Sequence, residues 1–466
     1  MIKSLHIQNF KGWKDTGEIT LAPITVFFGG NSSGKSSIGQ FLMLLKQSME
    51  LSDRKSIFFT GNDNTAVDLG LPSDIIYNRK LEEPIIFSYE WSLDELFSIR
   101  DAVNKKIYYF DAIRFEGQVK VKDITTQAME VSSFSYKLFK NNEYQMEIGM
   151  AKKGQGATSK REYKLTTGNY NLVRNTGRAW DITAPIRFYG FPDEAMAYYK
   201  NASYLHNLNF LHETLFAGVY YLGPLRTKAR RFYPWSGRTP DSVGFSGEDT
   251  VVAILAAKNE NRLFNYKYKR TKTPFEQIVA EMLIKMNLIE NFKIEQISEN
   301  RQDYDVKVRT RGSQIWNDIP DVGFGISQVL PVIAQLFYAP SGSTIIMEQP
   351  ELHLHPSAQA GLADVVAEAI FTRVNGKDRN IQVIIETHSE HFLRRLQRKI
   401  AEQQLKSNEL QAYFANNNTT PPTLDIIQVD DYGNILNWPE GFFGDITGDI
   451  YAQADAALRR RMEQSE

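Results

Sequence analysis

The alternation of apolar and polar residues at the start of the chain predicts two β-strands, over residues 3–10 and 19–28. The turn-rich segment KGWKDTGE lies between them. The following stretch, SSIGQFLMLLKQSM over residues 36–49, has apolar residues at helical spacing and no proline. The sequence therefore begins with a strand, a second strand, a glycine-rich loop and a helix.

The middle of the chain has a different pattern. Residues 82–181 contain short apolar runs such as PIIFSYEW and KIYYFDAIRF, separated by polar turns, which is typical of antiparallel β-structure. Beyond them the pattern predicts helices over 193–221 and 275–288 and strands over 292–297 and 304–310. The sequence shows no internal repeat and no sustained heptads, so a long coiled coil is not expected.

The last third of the chain predicts two buried strands that each end in polar residues. The first lies in STIIMEQPELHLHP, residues 343–356, and ends in acid. The second lies in IQVIIETHSEHF and delivers Thr387, His388 and Ser389 to the same edge. Before both, DVGFGISQVLPVIAQLF predicts an apolar helix, and the amides at its start can hold an anion.

The segment FGGNSSGKSS, residues 28–37, has the phosphate-binding pattern Gly-x-x-x-x-Gly-Lys-Ser. The strand before it and the helix after it let backbone amides and the helix dipole converge on phosphates. We expect Lys35 to contact the β- and γ-phosphates of ATP and the Ser36 hydroxyl to ligate Mg²⁺. Gly29 and Gly34 allow the close backbone approach that a side chain would block. The loop candidates for nucleotide binding are Gly29, Asn31, Gly34, Lys35, Ser36 and Ser37.

Composition limits the remaining functions. The 466 residues suffice for roughly three domains of ~150 residues, and 42% hydrophobic residues suffice for a large core. The 54 basic and 55 acidic residues give a net charge of −1, so nucleic-acid binding is expected only locally. The absence of cysteine excludes disulfides, thiolate metal sites and cysteine nucleophiles. No signal peptide or apolar membrane span is present, so we expect no membrane contact and a cytoplasmic location.

The order of phosphate loop, long insertion, GFGISQ, IIMEQPE and IIETHS resembles ABC-type ATPases of the SMC/Rad50/OLD-like group. The stretches TAVDLGLPSDIIY, YLGPLR, EQPELHLHPSAQAGLADV and ILNWPEGFF are similar to a bacterial anti-phage defence subgroup that includes the ATPase subunits of Septu and PARIS. The resemblance covers both ends of the chain and leaves residues 82–299 unassigned. It implies an α/β fold, an ABC-type P-loop ATPase head with an antiparallel β-rich and helical insertion.

The resemblance also implies residue roles. Glu348 aligns with the Walker B acid that is linked to Mg²⁺, and His388 aligns with the switch histidine that senses the γ-phosphate. Gly325, Ser327 and Gln328 fall in the signature motif, which in these families completes the nucleotide site of a second protomer. A homodimer or higher oligomer, with two nucleotides between two heads, is therefore expected.

One position departs from the family pattern. The usual Asp-Glu pair of the Walker B motif is replaced by Glu348-Gln349. A glutamine orients water but cannot take its proton. Either Glu348 or Glu351 then serves as the base, or hydrolysis is slow and the chain works as an ATP-dependent clamp. The candidate catalytic residues are Glu348, Gln349, Glu351 and His388, and the candidate metal ligands are Ser36 and Glu348.

We expect the chain to divide into four segments. Residues 1–81 form the first part of the head, with Walker A, and residues 82–214 form a β-rich insertion plus helix. Residues 215–299 return to the head, and residues 300–466 form its second part. The expected function is an ATPase head that controls a separate effector, a nuclease or toxin, in anti-phage defence, with nucleic acid or a phage protein as trigger. One alternative is a DNA-repair or recombination-type SMC-like ATPase. Another is an OLD-like nuclease, for which the 78 residues after His388 (466 − 388) are too few.

Several other features have two interpretations each. Arg226 in YLGPLR suits either a nucleotide or interface role or a surface salt bridge. Three basic runs suit either nucleic-acid phosphates or solvated helix faces: residues 226–231, 267–272 and 394–399. Four histidines suit either a zinc site or the head interface: His353, His355, His388 and His391. Three aromatic residues suit either packing or a ligand site: Trp438, Phe442 and Phe443.

Overall fold

The computed structural model describes residues 1–101, 103–153, 162–177, 182–265, 272–439, 442 and 446–463. In this part of the chain the helices are α1 (Lys35–Glu50), α2 (Asp193–Ala197), α3 (Leu205–Ala217), α4 (Thr250–Asn259), α5 (Phe275–Lys285), α6 (Phe324–Tyr338), α7 (Pro356–Phe371), α8 (Glu390–Ala401) and α9 (Ile446–Glu463).

The strands of the described residues, in chain order, are β1 (Ile2–Phe10), β2 (Trp13–Asp15), β3 (Ile19–Thr20), β4 (Ile24–Gly29), β5 (Ile85–Arg100), β6 (Ile107–Asp123), β7 (Ala128–Lys140), β8 (Glu143–Lys152), β9 (Tyr163–Thr167), β10 (Val219–Leu222), β11 (Tyr233–Pro234), β12 (Leu263–Asn265), β13 (Lys272–Pro274), β14 (Asn291–Gln296), β15 (Asp303–Arg309), β16 (Asn317–Asp318), β17 (Thr344–Glu348), β18 (Arg373–Val374), β19 (Lys377–Asp378), β20 (Gln382–Glu386), β21 (Leu410–Asn416) and β22 (Thr423–Ile427).

A mainly parallel sheet has the strand order β10-β17-β20-β4-β21-β22, and β22 alone runs antiparallel to its neighbour. Every residue of β4, β17 and β20 is buried. Their side chains alternate between two hydrophobic cores, with Ile345 and Met347 in one core and Ile346 in the other. The sheet is therefore covered on both faces, as its continuous apolar strands require.

The second large sheet is antiparallel, with the order β2-β1-β5-β6-β7-β8-β9 and β3 on β1. β1 pairs with β5, so the first strand of the chain and the β-rich region belong to one sheet. The predicted α/β class with an antiparallel β-rich part is confirmed. The predicted domain boundaries stay a prediction.

Helix α1 lies between the two sheets. Its buried residues Ile38, Phe41 and Leu42 belong to the same core as the β-rich sheet. A Cβ on Gly39 would lie 2.9 Å from Cγ2 of Ile346, so α1 also packs closely against β17. The helix that follows the phosphate loop is thus held between both sheets.

Two predicted elements were wrong in extent. The strand expected over 19–28 is divided at Pro23 into β3 and β4, which belong to different sheets, because proline lacks the N–H that a continuous ladder needs. The helix expected over 193–221 is two helices, α2 and α3. It ends at Gly218, after which β10 joins the parallel sheet.

Candidate functional site

The phosphate-loop pattern lies between the end of β4 and the start of α1. Gly29 and Gly34 have φ values of 143° and 91°, which side chains rarely adopt. A Cβ on Gly29 would lie 2.6 Å from the oxygen of Ala415, and one on Gly34 would lie 3.0 Å from the Trp13 ring. Both glycines are therefore required by backbone conformation and by close packing.

Trp13 is a supporting residue that sequence reasoning missed. Its side chain is fully buried, and its indole Nε1 donates a hydrogen bond of 2.9 Å to the oxygen of Gly34. The indole therefore fixes the turn from which α1 starts. No local pattern in KGWKDTGE connects this tryptophan to a loop 21 residues away.

Lys35 is buried at the first position of α1. Its Nζ donates to the oxygen of Gly30 at 2.7 Å and to the oxygen of Gly29 at 3.1 Å. It lies 3.9 Å from Oε1 of Glu386. Burial lowers the pKa of Lys35, and the nearby carboxylates of Glu386 and Glu351 oppose this shift. The ammonium thus lies inside the loop, close to acid.

Glu348 ends β17 and is buried. Its Oε1 accepts a hydrogen bond of 2.8 Å from the Tyr221 hydroxyl, and its backbone oxygen accepts one of 3.3 Å from Arg226. Burial, with the charge of Glu386, raises the pKa of Glu348 to about 7. Arg226 is itself buried, with Nε and Nη1 unpartnered, so the surface salt-bridge interpretation was wrong.

Glu386 is a second buried acid that sequence reasoning missed. It ends β20, which lies between β4 and β17, and it pairs in register with Glu348. Burial raises its pKa, while Ser36 and Lys35 oppose this shift. The available signal was the repetition of an acid after an apolar run, IIME and then IIE.

Glu351 and His388 are connected. Oε1 of Glu351 accepts a hydrogen bond of 2.9 Å from the backbone N–H of His388. Burial raises the pKa of Glu351. The pKa of His388 is lowered by burial and by Lys35, which favours the neutral imidazole. Glu351 therefore holds the segment that carries His388.

The backbone of Gln349 connects the end of β17, where Glu348 lies, with Glu386 at the end of β20. Its N–H donates a hydrogen bond of 2.8 Å to the oxygen of Glu386, and its φ of 43° turns the chain at the end of β17. Within the loop, Asn31 is exposed and Ser37 is buried. One edge of the parallel sheet thus brings together the loop, Glu348, Gln349, Glu351 and His388.

The signature candidates lie at the start of α6. Gly325 packs against the His353–Leu354 segment, and the Ser327 hydroxyl donates a hydrogen bond of 2.8 Å to the oxygen of Phe324. Gln328 is buried. Among the described residues, no hydrogen bond joins these three residues to the phosphate loop of the same chain.

A small cleft of about 30 Å³ lies beside Ser327, and Lys228, Arg230 and Gly247 contribute to its lining. The basic run 226–231 is a loop that follows β10. It is thus not a solvated helix face. Arg231 pairs with Asp321 at 2.7 Å just before α6. Lys228, Arg230 and the acid Glu248 thus line the same cleft as Ser327.

The basic run 394–399 lies on α8, and acidic residues pair with its members. Arg394 pairs with Glu390, Arg398 with Glu402, and both Arg395 and Lys399 pair with Asp364. The solvated helix-face interpretation thus holds for Arg394 and Arg398, which are exposed, whereas Lys399 is buried. Of the third run, only Lys272 lies within the described residues.

The remaining candidates have packing contacts. His353 contacts the Phe324 ring, and Nδ1 of His355 accepts from the backbone of Ser357 at 3.3 Å. The described residues contain no group of three or more histidine and acidic residues that could hold a metal ion. The Phe442 ring contacts Trp438, Phe28 and Phe414, whereas Phe443 lies outside the described residues.

The donor set nevertheless fits a magnesium nucleotide. Mg²⁺ typically takes one or two carboxylates together with substrate phosphates and several waters, and it does not need an all-protein cage. The Ser36 hydroxyl and the Glu348 carboxylate provide hard oxygens, and Lys35 with the loop amides provides positive charge for phosphates. The buried Oε2 of Glu386 has no hydrogen-bond partner, which is consistent with a ligand at this edge.

Two family models of ATPase domains match the segments that contain the residues of this site. A model described as "AAA ATPase domain" matches residues 1–175, and one described as "AAA domain, putative AbiEii toxin, Type IV TA system" matches residues 221–394. Each of these two segments is thus similar to an AAA-family ATPase domain. The first match includes the phosphate loop, and the second includes Ser327, Glu348 and His388. A third model, "Protein of unknown function (DUF3696)", matches residues 405–453. No curated protein matches the chain.

Solved structures of SMC heads are similar to this chain at low identity. The SMC head bound to the C-winged helix domain of ScpA is 12% identical, with 91% of this chain and 97% of that chain covered and a TM-score of 0.41. The SMC head domain from Thermotoga maritima is 10% identical, with 92% and 99% covered and a TM-score of 0.39. The Smc head with an extended coiled coil bound to the C-terminal domain of ScpA, from Pyrococcus furiosus, is 10% identical, with 92% and 96% covered and a TM-score of 0.39.

None of the helices in the described residues is both long and apolar enough to span a membrane.

Proposed function

We propose that this protein is a magnesium-dependent ATPase. The observation that carries the proposal is the convergence of the phosphate loop, Lys35, Ser36 and the buried carboxylate of Glu348 at one edge of the parallel sheet. Lys35 and the loop amides hold the phosphates, while Ser36 and Glu348 hold Mg²⁺ directly or through water. Bound Mg²⁺ neutralises the charge that develops on the phosphates during hydrolysis.

Hydrolysis in this site is proposed to be slow. The attacking water must lose a proton, and the residue that follows Glu348 is Gln349, which cannot accept one. Glu351 accepts a hydrogen bond from the backbone of His388 through Oε1, while its Oε2 has no hydrogen-bond partner among the described residues, which leaves Glu351 as the candidate base for a slow reaction. Glu348 is engaged with Tyr221. With Gln349 in place of the usual acid, the protein works mainly as an ATP-dependent clamp.

ATP is proposed to join two copies of the head. Ser327 stands at the start of α6, where its helix amides can hold an anion, and Lys228, Arg230 and Glu248 line the same small cleft. In the ATPases that the sequence resembles, the signature motif completes the nucleotide site of a second protomer, so the proposed anion is the γ-phosphate held by a second copy. Each shared nucleotide stabilises the joined state by its differential affinity for that state.

The joined heads are proposed to control a separate effector, a nuclease or toxin, in bacterial anti-phage defence, with nucleic acid or a phage protein as the trigger. The family match described as a putative AbiEii toxin of a type IV toxin–antitoxin system supports this direction. Co-purification with the product of each neighbouring gene, with and without ATP, tests it. Failure of every neighbouring product to bind in either condition would contradict the effector proposal.

The ATPase proposal is tested with Lys35→Ala. Removing this ammonium leaves the phosphate charge uncompensated in a partly dry site, so ATP affinity should fall at least about 10-fold and turnover should stop. Isothermal titration calorimetry and a phosphate-release assay measure both effects. Lys46→Ala is the matched control, because Lys46 lies on the same helix but donates to the oxygen of Phe216. Equal affinity and turnover in Lys35→Ala and the control would contradict the proposal.

A further inference from the structure

Two buried carboxylates lie side by side at the end of the parallel sheet. Glu348 and Glu386 occupy the same register on neighbouring parallel strands. Two positions earlier on each strand, Ile346 and Ile384 both belong to the core that contains α1. Because side chains alternate along a strand, both carboxylates project toward the face that α1 covers. They therefore face the helix that starts with Lys35 and Ser36.

This placement is unfavourable without a cation. Neighbouring strands are ~4.8 Å apart, and two like charges this close in a buried place disfavour ionisation of both. The ammonium of Lys35 is 3.9 Å from Oε1 of Glu386 and donates its hydrogen bonds to loop carbonyls. Lys11 also acts on Glu348, but its charge is partly desolvated, so the two carboxylates still favour a further positive ion between them.

The Oε2 atom of Glu386 also indicates that a positive ion binds at this place. Glu386 is 8% exposed, and its Oε2 has no hydrogen-bond partner among the described residues. A buried acceptor without a partner is unfavourable, so a ligand or a water usually satisfies such an atom in folded proteins. Ser36, the expected Mg²⁺ ligand, is close enough to act on the same carboxylate.

We infer that Glu386 is a second acidic residue of the magnesium site and supplies the negative charge that Gln349 does not. It acts as a positioning residue: Oε2 accepts a hydrogen bond from a water of the Mg²⁺ hydration shell, and the carboxylate keeps the Ser36 hydroxyl oriented. Mg²⁺ keeps several of its waters in such sites, and groups that orient metal-bound ligands have large effects on affinity. This inference rests on the proposed ATPase function.

A purely structural role makes a different prediction. If Glu386 were only the counter-ion of Lys35, its neutralisation would free that ammonium for phosphates and would strengthen ATP binding equally with and without Mg²⁺. If Glu386 serves Mg²⁺, its neutralisation weakens only the part of ATP binding that Mg²⁺ adds. The ratio of ATP affinities in excess Mg²⁺ and in excess EDTA separates the two roles.

The experiment measures this ratio by titration calorimetry for the wild type and for Glu386→Gln, which keeps the size of the side chain and removes its charge. We expect the ratio to fall about 10- to 100-fold in the variant, with the affinity in EDTA unchanged or higher. Glu386→Asp keeps the charge and should retain most of the ratio. Glu213→Gln, an exposed acid that accepts from Tyr189 at 2.5 Å, is the control for the chemical change outside the site.

Each outcome decides the inference. If Glu386→Gln has the same ratio of ATP affinities in Mg²⁺ and EDTA as the wild type, the inference is overturned. It is also overturned if Glu386→Asp and Glu386→Gln lower this ratio equally, because the charge of the side chain would then not matter. Binding in EDTA shows that each variant has a folded phosphate loop. Failure of the wild type itself to bind ATP in either buffer would overturn the proposed function, and it is thus distinguishable from failure of the inference alone.

Discussion

Replacing Glu348 with glutamine should stabilise the protein at alkaline pH. Burial and the neighbouring Glu386 raise the pKa of Glu348 to about 7 from an ordinary value of 4.5. Between these values the folded state binds more protons than the unfolded state, so the wild type loses stability as pH rises through this window. At pH 8 the cost is about 3 kcal/mol, from 1.36 kcal/mol for each pKa unit. The glutamine side chain of the variant can still accept from Tyr221 but carries no charge, so it avoids this cost.

The difference between variant and wild type should therefore grow with pH. At pH 4.5 both side chains are neutral in the folded state and stabilities should be similar, whereas at pH 8 the variant should be more stable by about 3 kcal/mol. For 466 residues unfolding as one unit, the unfolding entropy is about 1 kcal/mol per kelvin, which gives a melting temperature about 3 °C higher. Scanning calorimetry across this pH range, in EDTA and without nucleotide, measures the shift.

Asp364→Asn is the matched control for this prediction. Asp364 is as buried as Glu348, at 8% against 7% exposed, but it pairs with Arg395 at 2.6 Å and Lys399 at 2.8 Å. Its neutralisation leaves two cations without their partner and should destabilise the protein at pH 8. A constant difference between Glu348→Gln and the wild type from pH 4.5 to pH 8 would refute the reasoning. The same variant should lose turnover because it removes a proposed Mg²⁺ ligand, so this acid serves function at a cost in stability.

The other predictions concern turnover and assembly. Gln349→Glu adds a proton acceptor after Glu348 and should raise the steady-state rate of phosphate release or leave it unchanged; a clear decrease would mean that Gln349 does more than orient water. Ser327→Arg places bulk and charge at the start of α6, so it should prevent the ATP-dependent increase in solution mass that light scattering detects while ATP affinity stays within about 2-fold of the wild type. Equal masses with ATP for Ser327→Arg and the wild type would contradict the shared-nucleotide arrangement.

The local parts of the site were predictable from the sequence because their pattern is contiguous. The phosphate loop and its helix follow one another along the chain, and α1 begins and ends within one residue of its predicted bounds. Glu348 and His388 were expected from motifs that also lie on single strand ends. Periodicity and spacing report such neighbours in sequence well.

The rest of the site depends on pairing between distant segments. Glu386 gains its position only because β20 lies between β4 and β17, and no pattern within IIETHS reports that order. Tyr221 fell inside an expected helix, although it faces Glu348 from a parallel strand. Trp13 reaches the loop from a strand of the other sheet. Strand order and register are set by tertiary packing, which a single sequence does not display.

The same packing connects the phosphate loop to the β-rich sheet. Helix α1 carries Lys35 at its first turn and is buried between the two sheets. The sheets are also joined directly, because Gln382 at the start of β20 donates a hydrogen bond of 2.8 Å to the oxygen of Ile2 in β1. Close-packed cores move as units and do not deform gradually. The loop end of α1 and the start of β20 are therefore connected to the β-rich sheet by close packing and by a direct hydrogen bond.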